Sequence, residues 1–362
     1  MSEMNPPPAK QRRWTRRAAW AATAAGAVVL VLFGAVQLFL PLRPDPPGID
    51  LTNVPGAWEN HTILLPGRGD GGGPLRVHYL AAGPEAAPVV VLLHGFPDTA
   101  FGWRHVIPLL SADFRVLAPE LRGYAGTDKA LAGYDLGSLA RDLETFIDET
   151  HAAAGRPRGA PVHVIAHDWG ALVTWRATAD APERFTTATI LDIPHPIAFA
   201  DQMRASAKQR EYRWFVAQLV SPGAARLLAG LSVPQRSQIF YLDELHRGSA
   251  LTEADGLYYQ AVFNRPEKLR GPLEYYQELA AHGDQITEHF VKAGPAKVPT
   301  LVLWGALDSK MMPEMAAMSC THVSARCEHE VFAESGHYLQ WELPDAVVAR
   351  WRRFAAVPPP AQ

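Results

Sequence analysis

Short apolar runs, each separated from the next by an amphipathic segment, constrain the fold of this chain more than any other feature. A continuous apolar run of four or five residues is too short for a buried helix and indicates a strand covered on both faces. Such runs lie at residues 89–93, 115–118, 162–166, 187–191 and 300–304, and all but the first contain an Arg, a His or a Thr among the apolar residues. Between two of them, Leu136, Leu139, Leu143, Phe146 and Ile147 recur at helical spacing. The alternation predicts an α/β fold with a mostly parallel sheet flanked by helices.

Between residues 196 and 295 the alternation of apolar runs and amphipathic segments stops, and the sequence is aromatic-rich with helical spacing. We interpret residues 196–295 as a helical cap inserted into a core that comprises residues 58–195 and 296–355. Residues 356–362 are Pro-rich and are predicted to be a disordered tail. A glycine-rich stretch at 67–73 matches G-x-G-x-x-G, but Pro74 and a second strand follow it, so we interpret it as a turn.

The N-terminal region predicts a membrane anchor. Residues 18–40 hold no charged side chain across 23 positions, about 34 Å as a helix and enough to span a bilayer. The preceding basic tail, residues 1–17, is expected to stay in the cytoplasm, which places the large domain on the non-cytoplasmic side of a single-pass membrane protein. A cleaved signal peptide is the nearest alternative, but small residues are missing at the expected cleavage positions. Residues 41–57 are a Pro-rich linker.

Charge and cysteine content exclude several classes of partner. Of the formal net charge of −3, the basic tail contributes +4, so the rest of the chain carries −7. A body of that sign is repelled by a phosphate backbone, which argues against nucleic acid as a partner. Cys320 and Cys327 are the only cysteines, and neither belongs to a metal-ligand motif. No metal site and no obligate protein partner is evident, and the sequence leaves open whether these two cysteines pair.

Asp168 occupies a position typical of a catalytic nucleophile. The strand at 162–166 passes through His167 and Asp168 directly into a helical segment, with the small residues Ala166 and Gly170 on either side. A tight strand-to-helix turn of this kind exposes its central side chain at the edge of the sheet and requires small neighbours. The alternative interpretation is an aspartate that caps the following helix.

Other residues at strand ends support the catalytic interpretation. Phe96 follows the strand at 89–93, and its N–H together with that of Trp169 is expected to stabilise an oxyanion. Asp308 follows the strand at 300–304, and His337 follows a strand-like segment at 330–334. The chain order of Asp168, Asp308 and His337 is nucleophile, acid, histidine, as in α/β-hydrolases. Asp192, just past the strand at 187–191, is an alternative acid.

As a set, the motifs resemble the epoxide hydrolase branch of the α/β-hydrolase family, which is related to the haloalkane dehalogenases. They are HGFPDTAFGWRHVIPLL, LRGYAGTDK, AHDWGALVTWR, LDIPHP, GPLEYY, VPTLVLWGALD and SGHYLQWELPD, and they occur in the family's order. The resemblance covers residues 75–355 and implies an α/β-hydrolase fold, a small-molecule epoxide as substrate, and no metal or organic cofactor. Membrane-anchored members with one N-terminal helix are also known in this family.

The same resemblance implies that Asp168 forms an ester with the substrate and that His337 activates the water that hydrolyses it. Two cap tyrosines supply protons in this family. Tyr276 matches the second of them, whereas the first position falls on Arg213 and Tyr212 lies one residue earlier. This departure leaves room for a haloalkane dehalogenase in which the Trp169 and Trp214 indoles bind halide, although many dehalogenases have Asn where this chain has Phe96. A non-catalytic receptor on the same fold is a more distant alternative.

Overall fold

The computed structural model describes residues 42, 46, 48–231 and 252–356. Leu42 apart, these residues belong to the larger of the two units into which the chain divides, Arg43–Gln362. The predicted basic tail, the predicted membrane segment at 18–40 and residues 357–362 of the predicted C-terminal tail lie outside the described residues. Within the described residues, no helix is both long enough and apolar enough to cross a membrane.

The described residues form one eight-stranded sheet in the order β1-β2-β4-β3-β5-β6-β7-β8. The first two strands are an antiparallel hairpin, β2 pairs antiparallel with β4, and every other neighbouring pair is parallel. The strands are β1 Glu59–Leu65, β2 Leu75–Ala82, β3 Val89–Leu93, β4 Arg115–Pro119, β5 Val162–His167, β6 Phe185–Leu191, β7 Thr300–Gly305 and β8 Cys327–Phe332.

Each apolar run of the sequence falls in a strand of this sheet, which confirms the predicted α/β fold. All five residues of β3 are buried, as expected for a strand covered on both faces. The edge strand β8 differs from the prediction, because it begins at Cys327 and ends at Phe332 instead of spanning 330–334. Its register pairs Cys327 with Thr300 of β7. Every residue of β8 is at least partly exposed. Its sequence therefore has no continuous apolar run that would mark where the strand begins and ends.

The helices lie between the strands. Among the described residues the α-helices are α1 Ile107–Leu110, α2 Leu136–Ala153, α3 Trp169–Asp180, α4 Pro196–Ala205, α5 Ala207–Tyr212, α6 Trp214–Leu219, α7 Ala224–Gly230, α8 Glu253–Phe263, α9 Pro266–Ala293, α10 Met315–Cys320, α11 Leu339–Glu342 and α12 Pro344–Ala355. The amphipathic face predicted from residues 136–147 is the buried face of α2, whose first turn is capped by the Asp135 carboxylate accepting a 2.9 Å hydrogen bond from the Ser138 N–H.

Helices α4 to α9 all fall between β6 and β7, the interval in which the sequence predicted a cap. The longest of them, α9, extends over 28 residues and has a non-helical residue, His282, inside it. Close contact with the loop after β4 fixes its first half: a Cβ added to Gly271 would lie 2.7 Å from the Gly123 Cα. Only glycine permits this approach, so α9 is held directly against the core.

The two cysteines, whose pairing the sequence left open, form a disulfide between Cys320 and Cys327. The bond joins the last residue of α10 to the first residue of β8. It therefore ties the edge strand to the helix that precedes it.

Candidate active site

Asp168 is the single residue between β5 and α3, and its backbone has φ +48° and ψ −121°. Non-glycine residues rarely adopt positive φ, and such strain concentrates at functional sites. Two glycines that pack closely at this turn make it possible. A Cβ on Gly170 would lie 2.5 Å from the His94 carbonyl oxygen, and a Cβ on Gly95, in the loop after β3, would lie 2.4 Å from Asp168 Oδ1. The Asp168 carboxylate makes no capping hydrogen bond to α3, so the helix-cap interpretation does not hold.

The two carboxylate oxygens of Asp168 have different surroundings. Oδ1 accepts a 2.7 Å hydrogen bond from the Phe96 N–H, whereas Oδ2 lies 3.7 Å from Nε2 of His337. Burial raises the pKa of Asp168, but the cationic His337 and the Phe96 amide outweigh burial and hold the pKa below its usual value. Asp168 is therefore a carboxylate at neutral pH. Within the described residues, the N–H of Trp169 donates no hydrogen bond to it.

His337 is held from its other side by Asp308. Nδ1 of His337 lies 2.9 Å from Oδ2 of Asp308, and Oδ1 of Asp308 accepts hydrogen bonds from the N–H groups of Lys310, at 2.6 Å, and Met311, at 2.9 Å. Burial lowers the pKa of His337, but the charges of Asp308 and Asp168 outweigh that effect and raise the pKa well above its usual value. Asp308 thus fixes both the orientation and the charge of the imidazole.

Asp192, the alternative acid, has a different contact. Its Oδ1 accepts a 2.8 Å hydrogen bond from the Gly305 N–H at the end of β7, and its backbone also has a positive φ, +56°. The structure therefore places Asp308 in hydrogen-bonding distance of His337, while the Asp192 carboxylate binds the end of β7.

A buried hydrogen-bond network lies behind His337, and its pairs of partners were not predicted from the sequence. Nε2 of His167 lies 2.6 Å from the carbonyl oxygen of His337, and its Nδ1 lies 3.2 Å from Nε2 of Gln340. A carbonyl only accepts, so Nε2 carries the proton and Nδ1 accepts from the amide. Burial lowers the pKa of His167 to about 3, so the ring stays neutral. Gln340 and Trp341 also donate to Oδ2 of the buried Asp98. Because these partners are far apart in the chain, no local pattern reveals them.

A cavity of about 680 Å³ opens above Asp168. Asp168, Trp169 and His337 lie at the sheet side, and residues of α4, α6 and α9 form much of the opposite wall. Most of the lining is apolar, as is typical of small-molecule sites. In the part of the chain that the structure describes, no group of three or more His, Cys, Asp or Glu side chains is placed to hold a metal ion.

Tyr276 lines this cavity next to Asp168. Its ring centroid lies 5.2 Å from that of Trp169 and 5.3 Å from that of Phe96, both in edge-to-face arrangement. Burial raises the pKa of Tyr276 well above its usual value, and the charge of Asp168 adds to the effect. The adjacent Tyr275 points away, because its hydroxyl donates a 2.9 Å hydrogen bond to the Arg122 carbonyl oxygen. Tyr276 is therefore a neutral phenol on the wall of the cavity that also holds Asp168.

The structure separates Tyr212 from the other predicted site residues. Tyr212 ends α5 and is half-buried, and Lys208 Nζ lies 5.2 Å from its ring centroid. It is not among the described residues that line the cavity, whereas the next residue, Arg213, is. Arg213 lies at the break between α5 and α6, outside both helices, so these two neighbours in sequence face different surroundings. Trp214 also lines the cavity but is 63% exposed.

Comparison with known proteins identifies the family to which this chain belongs. A family profile described as the alpha/beta hydrolase fold matches residues 88–344, so the chain belongs to the α/β-hydrolase fold family. Epoxide hydrolase 4 of Homo sapiens is 29% identical over 284 residues, covering 75% of this chain and 74% of that protein. Epoxide hydrolase A of Mycobacterium tuberculosis is 27% identical over 313 residues, covering 77% and 94%. These relatives confirm the resemblance to the epoxide hydrolase branch of the family.

Solved structures share the fold. A Bacillus megaterium epoxide hydrolase in complex with an inhibitor superposes with a TM-score of 0.68 at 23% identity, and the match covers 81% of this chain and 99% of that one. The two chains therefore share the same fold.

Proposed function

We propose that this chain hydrolyses small-molecule epoxides to vicinal diols through a covalent ester on Asp168. The division of roles between the two Asp168 oxygens carries the proposal: one oxygen is bound by the Phe96 amide, and the other faces His337. Relatives named epoxide hydrolases support the choice of substrate. The absence of a G-x-S-x-G motif from the sequence argues against an esterase or lipase.

In the first step, Oδ2 of Asp168 attacks an epoxide carbon and the bond from that carbon to the ring oxygen breaks. The departing oxygen stays on the substrate and takes a proton from the Tyr276 hydroxyl. A phenol held neutral by burial is a suitable donor, because it is protonated at neutral pH and donates as negative charge builds on the oxygen. The product is an alkyl ester in which Oδ1 is the carbonyl oxygen.

In the second step, His337 removes a proton from a water molecule that attacks the ester carbonyl carbon. The negative charge then develops on Oδ1, which already accepts a hydrogen bond from Phe96. We assign the second donor to the Trp169 N–H, as the first residue of α3. Collapse of the intermediate expels the alkoxide of the diol, which takes the proton from His337. The second proton of the attacking water leaves the Asp168 carboxyl group and returns to the Tyr276 phenolate, so that both the carboxylate and the phenol are regenerated.

The charge of Asp168 links the two steps. Two carboxylates, Asp308 and Asp168, raise the pKa of His337 in the free enzyme. Ester formation removes the charge of Asp168, so the pKa of His337 falls at the stage where a neutral imidazole is required as base. Alkylation itself converts the histidine from a counter-ion into a base.

Haloalkane dehalogenation is the second activity that an aspartate nucleophile supports. Trp169 and Trp214 both line the cavity, and their indoles are the groups we assign to halide binding in that case. Turnover of a panel of epoxides and alkyl halides by residues 45–362 distinguishes the activities. We expect diol formation, its loss in Asp168→Asn, and no loss in the surface variant Asp113→Asn. Halide release without diol formation would assign the chain to the dehalogenases, and turnover of neither class would favour a non-catalytic receptor.

From the sequence we also propose that residues 18–40 anchor the chain in a membrane, with the catalytic domain on the non-cytoplasmic side. The Cys320–Cys327 disulfide supports this side, because structural disulfides persist in oxidising compartments. Protease added to sealed vesicles of known sidedness is expected to reach the domain from the non-cytoplasmic face alone. Cleavage from the cytoplasmic face, or a fragment 45–362 that stays detergent-dependent, would contradict the anchor as proposed.

A further inference from the structure

Arg213 places a positive charge on the wall of the substrate cavity. It lies between α5 and α6 and lines the cavity together with Asp168 and Tyr276. Its guanidinium carbon lies 5.1 Å from the ring centroid of Phe199 and 5.5 Å from that of Phe215. Two aromatic rings thus hold the guanidinium in place by cation–π contacts.

The guanidinium has no anionic partner in the protein as described. Among residues 42, 46, 48–231 and 252–356, no hydrogen bond or ion pair to a carboxylate or carbonyl is found for it. This contrasts with Arg204, a neighbour on the cavity wall, which pairs with Asp201. Burial lowers the pKa of Arg213, while the negative charge of Asp168 opposes that effect. An arginine remains protonated in such surroundings, so within the described part of the chain its five N–H donors have no protein acceptor.

A second cation lies close to the same ring. Nζ of Lys310 lies 5.8 Å from the Phe215 ring centroid, and Lys310 also lines the cavity. The carboxylates on the described lining are Asp168 and the exposed Asp284. Asp168 is already paired with His337. The lining around Phe215 therefore includes two basic side chains, although the cavity as a whole is mostly apolar.

We propose that Arg213 binds an oxyanion carried by the substrate, so that the chain prefers epoxides bearing a carboxylate over their neutral analogues. A neutral apolar substrate would displace water from the guanidinium and leave it without hydrogen bonds, which is unfavourable. A carboxylate restores those bonds in the planar, bidentate geometry that guanidinium favours. The inference rests on the proposed function and names the substrate class of that same site.

The test compares an epoxy carboxylic acid with its primary amide, which has nearly the same shape and no charge. For the wild type we expect kcat/KM to be at least about tenfold higher for the acid, equivalent to about 1.4 kcal/mol. Arg213→Gln is expected to raise KM for the acid by that factor and to leave the amide within about twofold. Arg213→Lys is expected to retain part of the preference, because it keeps the charge but not the bidentate geometry.

Lys208→Gln is the matched control. Lys208 is an exposed cation on α5 that does not line the cavity in the described structure, so its loss changes the net charge equally and is expected to preserve the preference. A wild type that turns over the amide as well as the acid would overturn the proposal. So would an Arg213→Gln enzyme in which kcat falls equally for both substrates, since Arg213 would then act on the alkoxide formed in the reaction.

Binding separates this proposal from the proposed function. The saturated carboxylic acid and its amide contain no epoxide, so their dissociation constants are measured by calorimetry without any turnover. Tighter binding of the acid by the wild type, lost in Arg213→Gln, supports the oxyanion site even if no epoxide is hydrolysed. Equal binding of acid and amide would overturn the oxyanion site while leaving epoxide hydrolysis to be judged from turnover.

Discussion

Nε2 of His337 lies 3.7 Å from Oδ2 of Asp168, close enough for an ion pair but longer than a hydrogen bond. Nδ1 on the other side of the imidazole lies 2.9 Å from Oδ2 of Asp308. This contact fixes the ring, so its Nε2 stays beyond hydrogen-bonding distance of Oδ2 of Asp168. In the proposed mechanism, the oxygen that attacks is thus left open to the cavity, and the histidine lies beside the carboxyl group that becomes the ester. This separation predicts that the two steps respond differently to loss of the histidine.

His337→Gln is expected to trap the ester. Attack by Asp168 does not require the histidine, whereas hydrolysis requires a base, so alkylated protein should accumulate. Mass spectrometry of the intact protein should show an increase equal to the substrate mass, and digestion should place it on the peptide that contains Asp168. Asp168→Asn serves as the control and should gain no mass. Rapid turnover by His337→Gln without an adduct would contradict the assigned base.

Tyr276→Phe is expected to slow alkylation by epoxides about 100-fold or more, the usual contribution of a positioned general acid. An alkyl halide leaves as a stable anion and needs no proton, so any halide turnover should change little. Single-turnover alkylation measured by rapid quench tests the first effect. Tyr212→Phe is the control on the cap, since its side chain is not on the described cavity lining, and it should alter the rate less than about twofold. Equal loss in both variants would contradict the assignment of Tyr276.

The pKa of His337 is expected to be lower in Asp168→Asn than in the wild type. The wild-type pKa is raised by two carboxylates, and the asparagine, like the ester, removes the charge of one of them. Titration of the imidazole by NMR measures both values directly. Hydrolysis of the ester should accordingly speed up as pH rises through this lower pKa, since the neutral imidazole is the base. An unchanged or higher pKa in Asp168→Asn would contradict the proposed link between the two steps.

Gly305→Ala is expected to destabilise the fold by about 1–3 kcal/mol, as overpacked sites do. A Cβ at this position would lie 2.0 Å from the Gly336 carbonyl oxygen, between the strand that leads to Asp308 and the residue before His337. Denaturant unfolding measures the loss. Gly283→Ala is the matched control, because a Cβ at Gly283 would have its nearest neighbour at 3.9 Å, and it should lower the free energy of unfolding less. Gly155→Ala is a poor control because the φ of Gly155 is +68°. Equal stability of Gly305→Ala and the wild type would show that the two loops are not packed as described.

The sheet could be predicted from the sequence because its central strands are buried on both faces and leave a continuous apolar signature. β3 coincides with the predicted run at 89–93. The edge strand β8 is partly exposed along its length, so its bounds depend on pairing with β7 and not on composition. Asp168, Asp308 and His337 were found because the ends of parallel strands gather at one edge of the sheet.

The cap was less predictable, for a physical reason. Residues on short consecutive helices face the cavity or avoid it according to helix rotation and packing, which sequence spacing does not fix. Tyr212 was chosen because its hydroxyl suits the chemistry, yet Arg213 is the residue on the cavity wall. The buried contact of His167 with the His337 carbonyl joins residues 170 positions apart, and no local pattern marks such a pair.

The covalent ester on Asp168 is tested most directly by a single turnover in ¹⁸O-labelled water with enzyme in excess over epoxide. When the ester is hydrolysed, the Asp168 oxygen that attacked the epoxide leaves with the diol, and an oxygen from water takes its place in the carboxylate. We predict that the first diol formed contains no ¹⁸O and that the label appears in the Asp168 carboxylate, with labelled diol arising only in later turnovers. A fully labelled diol in the first turnover, with an unlabelled Asp168, would mean direct attack by water and would contradict the covalent mechanism.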